Sequence, residues 1–294
     1  MSGEKAMSTE APAPAGMPPF RAIADLVHDH ARARPQATAL VQGERSVTWG
    51  QLDAMADRIA ASLQRDGVRP RDSIAICGFN SLEYAALFIG GLRAGAAVAP
   101  IAIQSAPQQL AAMVFDSGAR HFFVDANVPA FDTVAQRIFV DGSSHPALEG
   151  WLEPEGTRPR PVKVEPGWPF NIIYSSGTTG TPKGIVQPHG MRWTHVRRGA
   201  TYRYGPQAVT LLSTPLYSNT TLVVFFPTLS FGGSVVLMPR FDAAGYLKLA
   251  QQHRVTHTML VPVQYQRLMA RSDFDAHDLT SFLFKFSTSA PFAA

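Results

Sequence analysis

Cysteine is almost missing from this chain: of 294 residues only Cys77 is one, which excludes a disulfide framework and any cluster of thiolates around a metal. It ends the apolar run Ile74-Ala75-Ile76-Cys77, so a buried, inert thiol is expected. Charge is also scarce, at 16% of residues with a net of +4, and basic residues gather no more densely than in short pairs such as Arg197-Arg198 and Arg158 with Arg160. Such scatter argues against a nucleic-acid partner and for a solvated surface. No apolar stretch is suited to span a membrane, because Tyr84 to Ile103 carries Arg93 and Thr221 to Met238 is interrupted by Pro227, Gly232 and Gly233. Residues 1–19, rich in Ala, Pro, Ser and Glu, lack the basic-then-apolar order of a secretory signal and are expected to form a disordered tail. No serine, histidine and aspartate stand at spacings that suggest a nucleophilic triad. What is left is a cytoplasmic globular chain, 46% hydrophobic, able to bury one large core or two modest ones.

Helix and strand signals alternate along it. Thr48 with Gln51 makes a capping-box start, after which Leu52, Met55, Ile59 and Leu63 recur at helical spacing as far as Gly67. A strand over Ile74 to Cys77 leads to a helix opened by Asn80 with Glu83 and closed near Gly95, then to an apolar run from Ala97 to Ile101. Ser105 with Gln108 opens a third helix ending at Ser117-Gly118, before the strand His121 to Val124. The later part repeats this order: strands at Val209 to Leu212, Ser234 to Met238, Thr258 to Val261 and Phe282 to Phe286, with helices at Leu222 to Leu229, Asp242 to His253 and through Leu268. The expected class is α/β, with two doubly wound, largely parallel βα subdomains over residues 20–152 and 170–294. A proline-rich joint over 153–169 separates them.

The most informative segment lies between Tyr174 and Gly184, Y-S-S-G-T-T-G-T-P-K-G. Gly177, Gly180 and Gly184 can take positive φ and let backbone N–H groups converge on an anion, and Ser175, Ser176, Thr178, Thr179 and Thr181 offer hydroxyls. Lys183 adds a compact positive charge, and Pro182 stiffens its approach. The nucleotide loop G-x-x-x-x-G-K-[ST] does not fit, since Pro182 precedes the lysine and Gly184 follows it; G-x-G-x-x-G fails at Thr178 and Thr179. The segment resembles the signature loop of the adenylate-forming enzymes, the acyl- and aryl-CoA ligases, peptide-synthetase adenylation domains and luciferases, with Ser175 where threonine is usual. The likeness extends to Val47-Thr48-Trp49-Gly50-Gln51-Leu52, Asp72 to Ile76, Gly91 to Pro100, Thr214-Pro215-Leu216-Tyr217 and Ser287-Thr288-Ser289-Ala290-Pro291, in the family's order.

That resemblance implies a chemistry: ATP-dependent activation of a small carboxylic acid to an acyl-adenylate, followed by transfer to a thiol. It implies ATP, Mg²⁺ and coenzyme A as the cofactors. Lys183 is then the catalytic candidate. Ser175, Ser176, Gly177, Thr178, Thr179, Gly180 and Thr181, with Ser289, Ala290 and Pro291, hold nucleotide, Thr178 being the candidate for Mg²⁺. Tyr217, Ser218, Asn219, Thr220, Leu222 and Phe225 are expected to face the acid, although a polar helix cap explains Ser218 to Thr220 equally well. Ser218 stands where many members have histidine. His189 reads as a structural helix entry rather than a proton carrier, and the other histidines read as surface groups. Three alternatives stay open: CoA as acceptor, a carrier-protein thiol as acceptor, or an inactive fragment that binds without turnover. A homodimer is also left open. The resemblance further implies adenine-, ribose- and Mg²⁺-binding segments and a C-terminal lid beyond Ala294, so that residues 1–294 alone are expected to be inactive.

Overall fold

The computed structural model describes residues 19–142, 146–175 and 183–288. Two six-stranded sheets organise the chain. The strands are β1 (Thr38–Gln42), β2 (Arg45–Thr48), β3 (Ser73–Cys77), β4 (Ala97–Ile101), β5 (His121–Val124), β6 (Gln136–Phe139), β7 (Pro169–Ser175), β8 (Lys183–Pro188), β9 (Val209–Leu212), β10 (Ser234–Leu237), β11 (His257–Leu260) and β12 (Phe284–Ser287). One sheet runs β6-β5-β3-β4-β7-β8 and the other β12-β11-β9-β10-β1-β2. Every pairing is parallel except β7 with β8 and β1 with β2, the two places where the chain folds straight back on itself. Helix α1 (Ile23–Ala33) precedes the first strand, and the strands are then connected through helices, among them α2 (Trp49–Arg65), α3 (Leu82–Arg93), α4 (Pro107–Asp116), α5 (Leu148–Trp151), α6 (His189–Arg198), α7 (Asn219–Ser230), α8 (Ala243–Gln252) and α9 (Pro262–Met269). The α/β class with two largely parallel sheets is as expected.

Sheet membership does not follow chain order. The hairpin β1–β2 joins the sheet of β9 to β12, whereas β7 and β8 complete the sheet of β3 to β6. The division at 153–169 therefore does not separate one sheet from the other. Cross-strand pairing decides membership: Leu40 and Val41 lie beside Val235 and Val236, and Val98 lies beside Asn171. Residues 153–160 are pinned to α2 by bonds from Arg58 Nε to the Glu153 carbonyl (2.7 Å) and two bonds between Gln64 and Arg160 (2.9 and 2.7 Å).

The central apolar cluster spans both sheets, flanked by a smaller one on each, with α3 buried along almost its whole length. A helix apolar on all sides must be covered on all sides. Gly90 and Gly91 let that happen at short range: a Cβ on Gly90 would stand 2.5 Å from Cγ2 of Ile59 on α2, and one on Gly91 2.7 Å from Cδ1 of Ile74 on β3. Phe88, Phe170 and Phe226 then meet in tilted and edge-on pairs at 4.9 to 6.0 Å, joining α3, β7 and α7.

Of three expected helix starts, two differ in detail. Thr48 forms the expected capping box with Gln51. On α3, however, Ser81 is the cap, accepting from Tyr84 N, and α4 begins after Ala106, to whose N–H Gln109 reaches back. Asn80 is released for another task. It is 2% exposed, follows β3, and its Nδ2 donates to the carbonyls of Thr214 (2.9 Å) and Met238 (3.2 Å) while its Oδ1 accepts from Leu216 N (2.8 Å). One amide thus stitches the carboxyl edge of one sheet to that of the other.

Replacing Asn80 by alanine strands two carbonyls and an N–H in a dry interior. The loss should be about 3 kcal/mol, given a cost of ~1–3 kcal/mol for each buried group left unpaired. Chemical denaturation of Asn80→Ala checks it, and an unchanged midpoint would show that the stitch is not needed.

Candidate functional site

The hairpin β7–β8 presents the glycine- and hydroxyl-rich segment. Ser175 closes β7 and pairs in register with Lys183, the exposed first residue of β8. Ser176, Gly177, Thr178, Thr179, Gly180 and Thr181 lie between these two and outside the described residues, as do Ser289, Ala290 and Pro291 beyond β12. Among the described residues no three His, Cys, Asp or Glu side chains gather as a metal site, and the one metal candidate, Thr178, is not among them. Gly184 has no positive φ, contrary to expectation; it sits in extended backbone opposite Tyr174. Its value is close approach, since a Cβ would stand 2.8 Å from both Asp116 Oδ2 and Ile172 Cγ2. Tyr174 lies over the same spot, its hydroxyl 2.7 Å from Asp116 Oδ2 and 3.0 Å from the Met113 carbonyl. Burial first, and then the Asp116 carboxylate, push this phenol above its ordinary range.

The second segment, Tyr217 to Thr220, comes from the other sheet, just past the carboxyl end of β9. The Tyr217 hydroxyl donates to Gln104 Oε1 at 2.7 Å, beyond the carboxyl end of β4, the strand parallel to β7. Ser218 is the N-cap residue of α7, but its side chain makes no cap bond. Ser218, Asn219 and Thr220 are all half-buried. The two predicted segments therefore meet at one edge, where the carboxyl ends of β4, β7 and β9 converge. Open parallel sheets offer ligand crevices at such edges.

Leu222 and Phe225 do not belong to this opening. Both are fully buried in the central core, because on α7 they share the face that carries Phe226 and Leu229. The cavity beside α7, about 250 Å³, is lined instead by Val223, Val224 and Pro227, with Tyr202, Tyr204 and Phe286 among the facing residues. His195 and Arg198 from α6 also border it. Burial lowers the affinity of His195 for a proton, and Arg192 and Arg198 add to that. Periodicity alone could not choose between the faces of a helix as apolar as Leu222 to Leu229.

Helix α6 supplies what the sequence reading missed. Arg192 is 0% exposed; its Nη2 donates to Asn171 Oδ1 (3.1 Å), Gln187 Oε1 and Asn219 Oδ1 (3.0 Å). The guanidinium lies over the rings of Phe170 and Phe226, and burial brings its pKa down to about 10. The available signal was a polar triplet, Asn171, Gln187 and Asn219, spread over three elements and joined only by folding. The histidines also correct the surface assignment. His121 is 3% exposed and His257 0%; His257 is stacked on Tyr204 and His121 bonded to Asp66 at 3.1 Å. His189 opens α6 as a structural residue, 3% exposed and edge-on to Phe170 at 4.9 Å.

Comparison with known proteins bears on the fold and the family. The sequence model of the AMP-binding enzyme family matches residues 27–294. The chain is 31% identical over 277 residues to the indoleacetate–CoA ligase of Aromatoleum aromaticum, covering 88% of this chain and 53% of that protein. It is 31% identical over 253 residues to the nonribosomal peptide synthetase gloA of Glarea lozoyensis, covering 83% of this chain and 3% of that protein. Among solved structures, the inhibitor-bound N-terminal domain of FACL13 from Mycobacterium tuberculosis superposes with a TM-score of 0.82 at 24% identity, over 93% of this chain and 71% of that one. The chain spans about half the length of the curated CoA ligase it matches.

Burial holds His189 at a pKa of about 4, below its ordinary 6.5. The unfolded chain then binds the extra proton first as pH falls, so this group's stabilisation is complete above pH 6.5 and lost on acidification towards pH 4. The limit is about 3 kcal/mol at ~1.36 kcal/mol per pH unit. Unfolding free energies of the wild type and His189→Phe between pH 7 and 4 should show a shallower slope in the variant; equal slopes would count against this assignment.

Proposed function

Because this chain belongs to the AMP-binding enzyme family, we propose that the protein activates a carboxylic acid with ATP and passes the acyl group to the thiol of coenzyme A. The observation that carries this reading is the convergence of Tyr217 to Thr220 with the Ser175/Lys183 end of the hairpin at one sheet edge. In the first step a carboxylate oxygen attacks the α-phosphorus of ATP and pyrophosphate leaves. In the second the thiol attacks the acyl carbon of the mixed anhydride and AMP leaves. An anion meets a polyanion in the first step, so the protein's task is to neutralise and align. Lys183, with the amides and hydroxyls of Ser175 to Thr181, orients the departing pyrophosphate, and Mg²⁺ accompanying ATP shares that charge. Tyr217, Ser218, Asn219 and the start of α7 receive the acid, whose body extends towards Val223 and Val224. No side-chain nucleophile is required.

The cavity beside α7 has rings, valines and a proline along its walls, which favours a compact aromatic acid as substrate. The likeness to an indoleacetate–CoA ligase supports that choice. A second reading, transfer to a carrier-protein thiol, is favoured by the likeness to a peptide synthetase. Thioester formation with free CoA against a phosphopantetheinylated carrier protein separates the two.

In the full-length protein, Lys183→Ala should slow acid-dependent ATP–pyrophosphate exchange by one to two decades, since a charged phosphate contact contributes about 1.5–3 kcal/mol. Its thermal unfolding should match the wild type, as Lys183 is exposed. Unaltered exchange would remove the lysine from the mechanism. Narrowing the cavity with Val224→Phe should lower kcat/KM for indole-3-acetate about tenfold or more relative to benzoate, by the usual cost of a misfitting group in an apolar pocket. The same ratio for both acids would place the acid elsewhere.

A further inference from the structure

Arg192 has an unusual environment for a buried cation. Among the described residues no other lysine or arginine is buried, and its hydrogen-bond partners Asn171, Gln187 and Asn219 are all neutral amides. Its Nε and Nη1 have no partner. Burying a guanidinium without a carboxylate carries a desolvation penalty that ring contacts and amide oxygens only partly offset. A methionine or leucine at this point of α6 would pack between Phe170 and Phe226 without that penalty. The charge is therefore kept at a cost to stability, beside the segment that receives the acid.

Arginine donates and never accepts. Each amide facing it must turn its oxygen inward, and for Asn219 this has a directional result: Oδ1 is held by Nη2 at 3.0 Å, so the two Nδ2 hydrogens point away from the guanidinium. Asn219 is half-buried and is the first residue of α7. The N–H groups of Thr221 and Leu222 are taken by the Ser218 carbonyl, which leaves those of Asn219 and Thr220 at the α7 terminus, whose dipole also favours an anion. The same guanidinium holds Asn171 of β7 and Gln187 of β8, the strands that carry the phosphate segment.

We propose that Arg192 is a positioning residue for the acid: it locks the Asn219 amide with its donors towards the substrate carboxylate, and it ties the start of α7 to the β7–β8 hairpin. This rests on the function proposed above. The role makes Asn219→Asp diagnostic. Aspartate gives the buried guanidinium the carboxylate it lacks, but it puts an oxygen where the amide offered hydrogens to the acid.

The test uses the full-length protein, ATP–pyrophosphate exchange with indole-3-acetate, ferulate or octanoate, whichever is turned over fastest, and thermal unfolding. Asn219→Asp should melt at or above the wild-type temperature while raising the KM for the acid at least tenfold and the KM for ATP less than twofold. Arg192→Lys, which keeps the charge but whose Nζ ends one bond short of the Nη2 position that bonds the amides, should raise the acid KM in the same selective way. Arg192→Met combined with Asn219→Asp should be no worse for the acid than the poorer single variant. An acid KM within twofold of wild type in Asn219→Asp would overturn the proposal with the function intact, because a merely structural arginine tolerates that change. Equal rises for acid and ATP would overturn it as well. Absence of exchange in the unsubstituted protein with all three acids would overturn the function and this proposal together.

Discussion

Two largely parallel sheets are held with their carboxyl edges side by side, and the Asn80 amide links those edges directly. Its three hydrogen bonds reach residues following β9 and β10 from a position just past β3. An apolar residue could fill the volume but could not set the separation of two backbone edges. Direction matters in a hydrogen bond and not in a hydrophobic contact. Everything at the edge inherits that alignment: Tyr217 reaching Gln104, α7 starting where it does, and the hairpin standing opposite.

Above that joint the charge distribution is one-sided. Lys183 stands exposed at the start of β8, Arg198 borders the cavity beside α7 and Arg192 lies buried between β7 and α7, while the carboxylate of Asp116 is engaged by the Tyr174 hydroxyl. For a protein with a net charge of only +4, the positive field is local rather than global. Local placement suits a reaction between two anions, where a diffuse positive surface would recruit ligands without aligning them.

How much of this was legible in the sequence follows from the range of the interactions involved. Thr48 with Gln51 was readable because a capping box is contained in one turn. The segment from Tyr174 to Gly184 and its lysine were readable because anion loops are contiguous. The exchange of hairpins between sheets was not, since β1 pairs with a strand far along the chain, Leu40 lying beside Val235. Asn80 looked like a helix opener, and only its partners at residues 214, 216 and 238 reveal otherwise. Leu222 and Phe225 follow Ser218 and Asn219 closely in the chain, but α7 is apolar on nearly every side, so composition gives no sign of which face meets the cavity. Arg192 was passed over because its meaning lies in three amides that are distant in the chain.

Because Ser175 and Lys183 are cross-strand partners in an antiparallel ladder, the lysine's position is a matter of parity. A slip of β8 by a single residue would send Lys183 to the opposite face of the sheet. It would also bring a side chain into the narrow gap now occupied by Gly184. Length changes within β8 are therefore read twice, once by charge and once by volume.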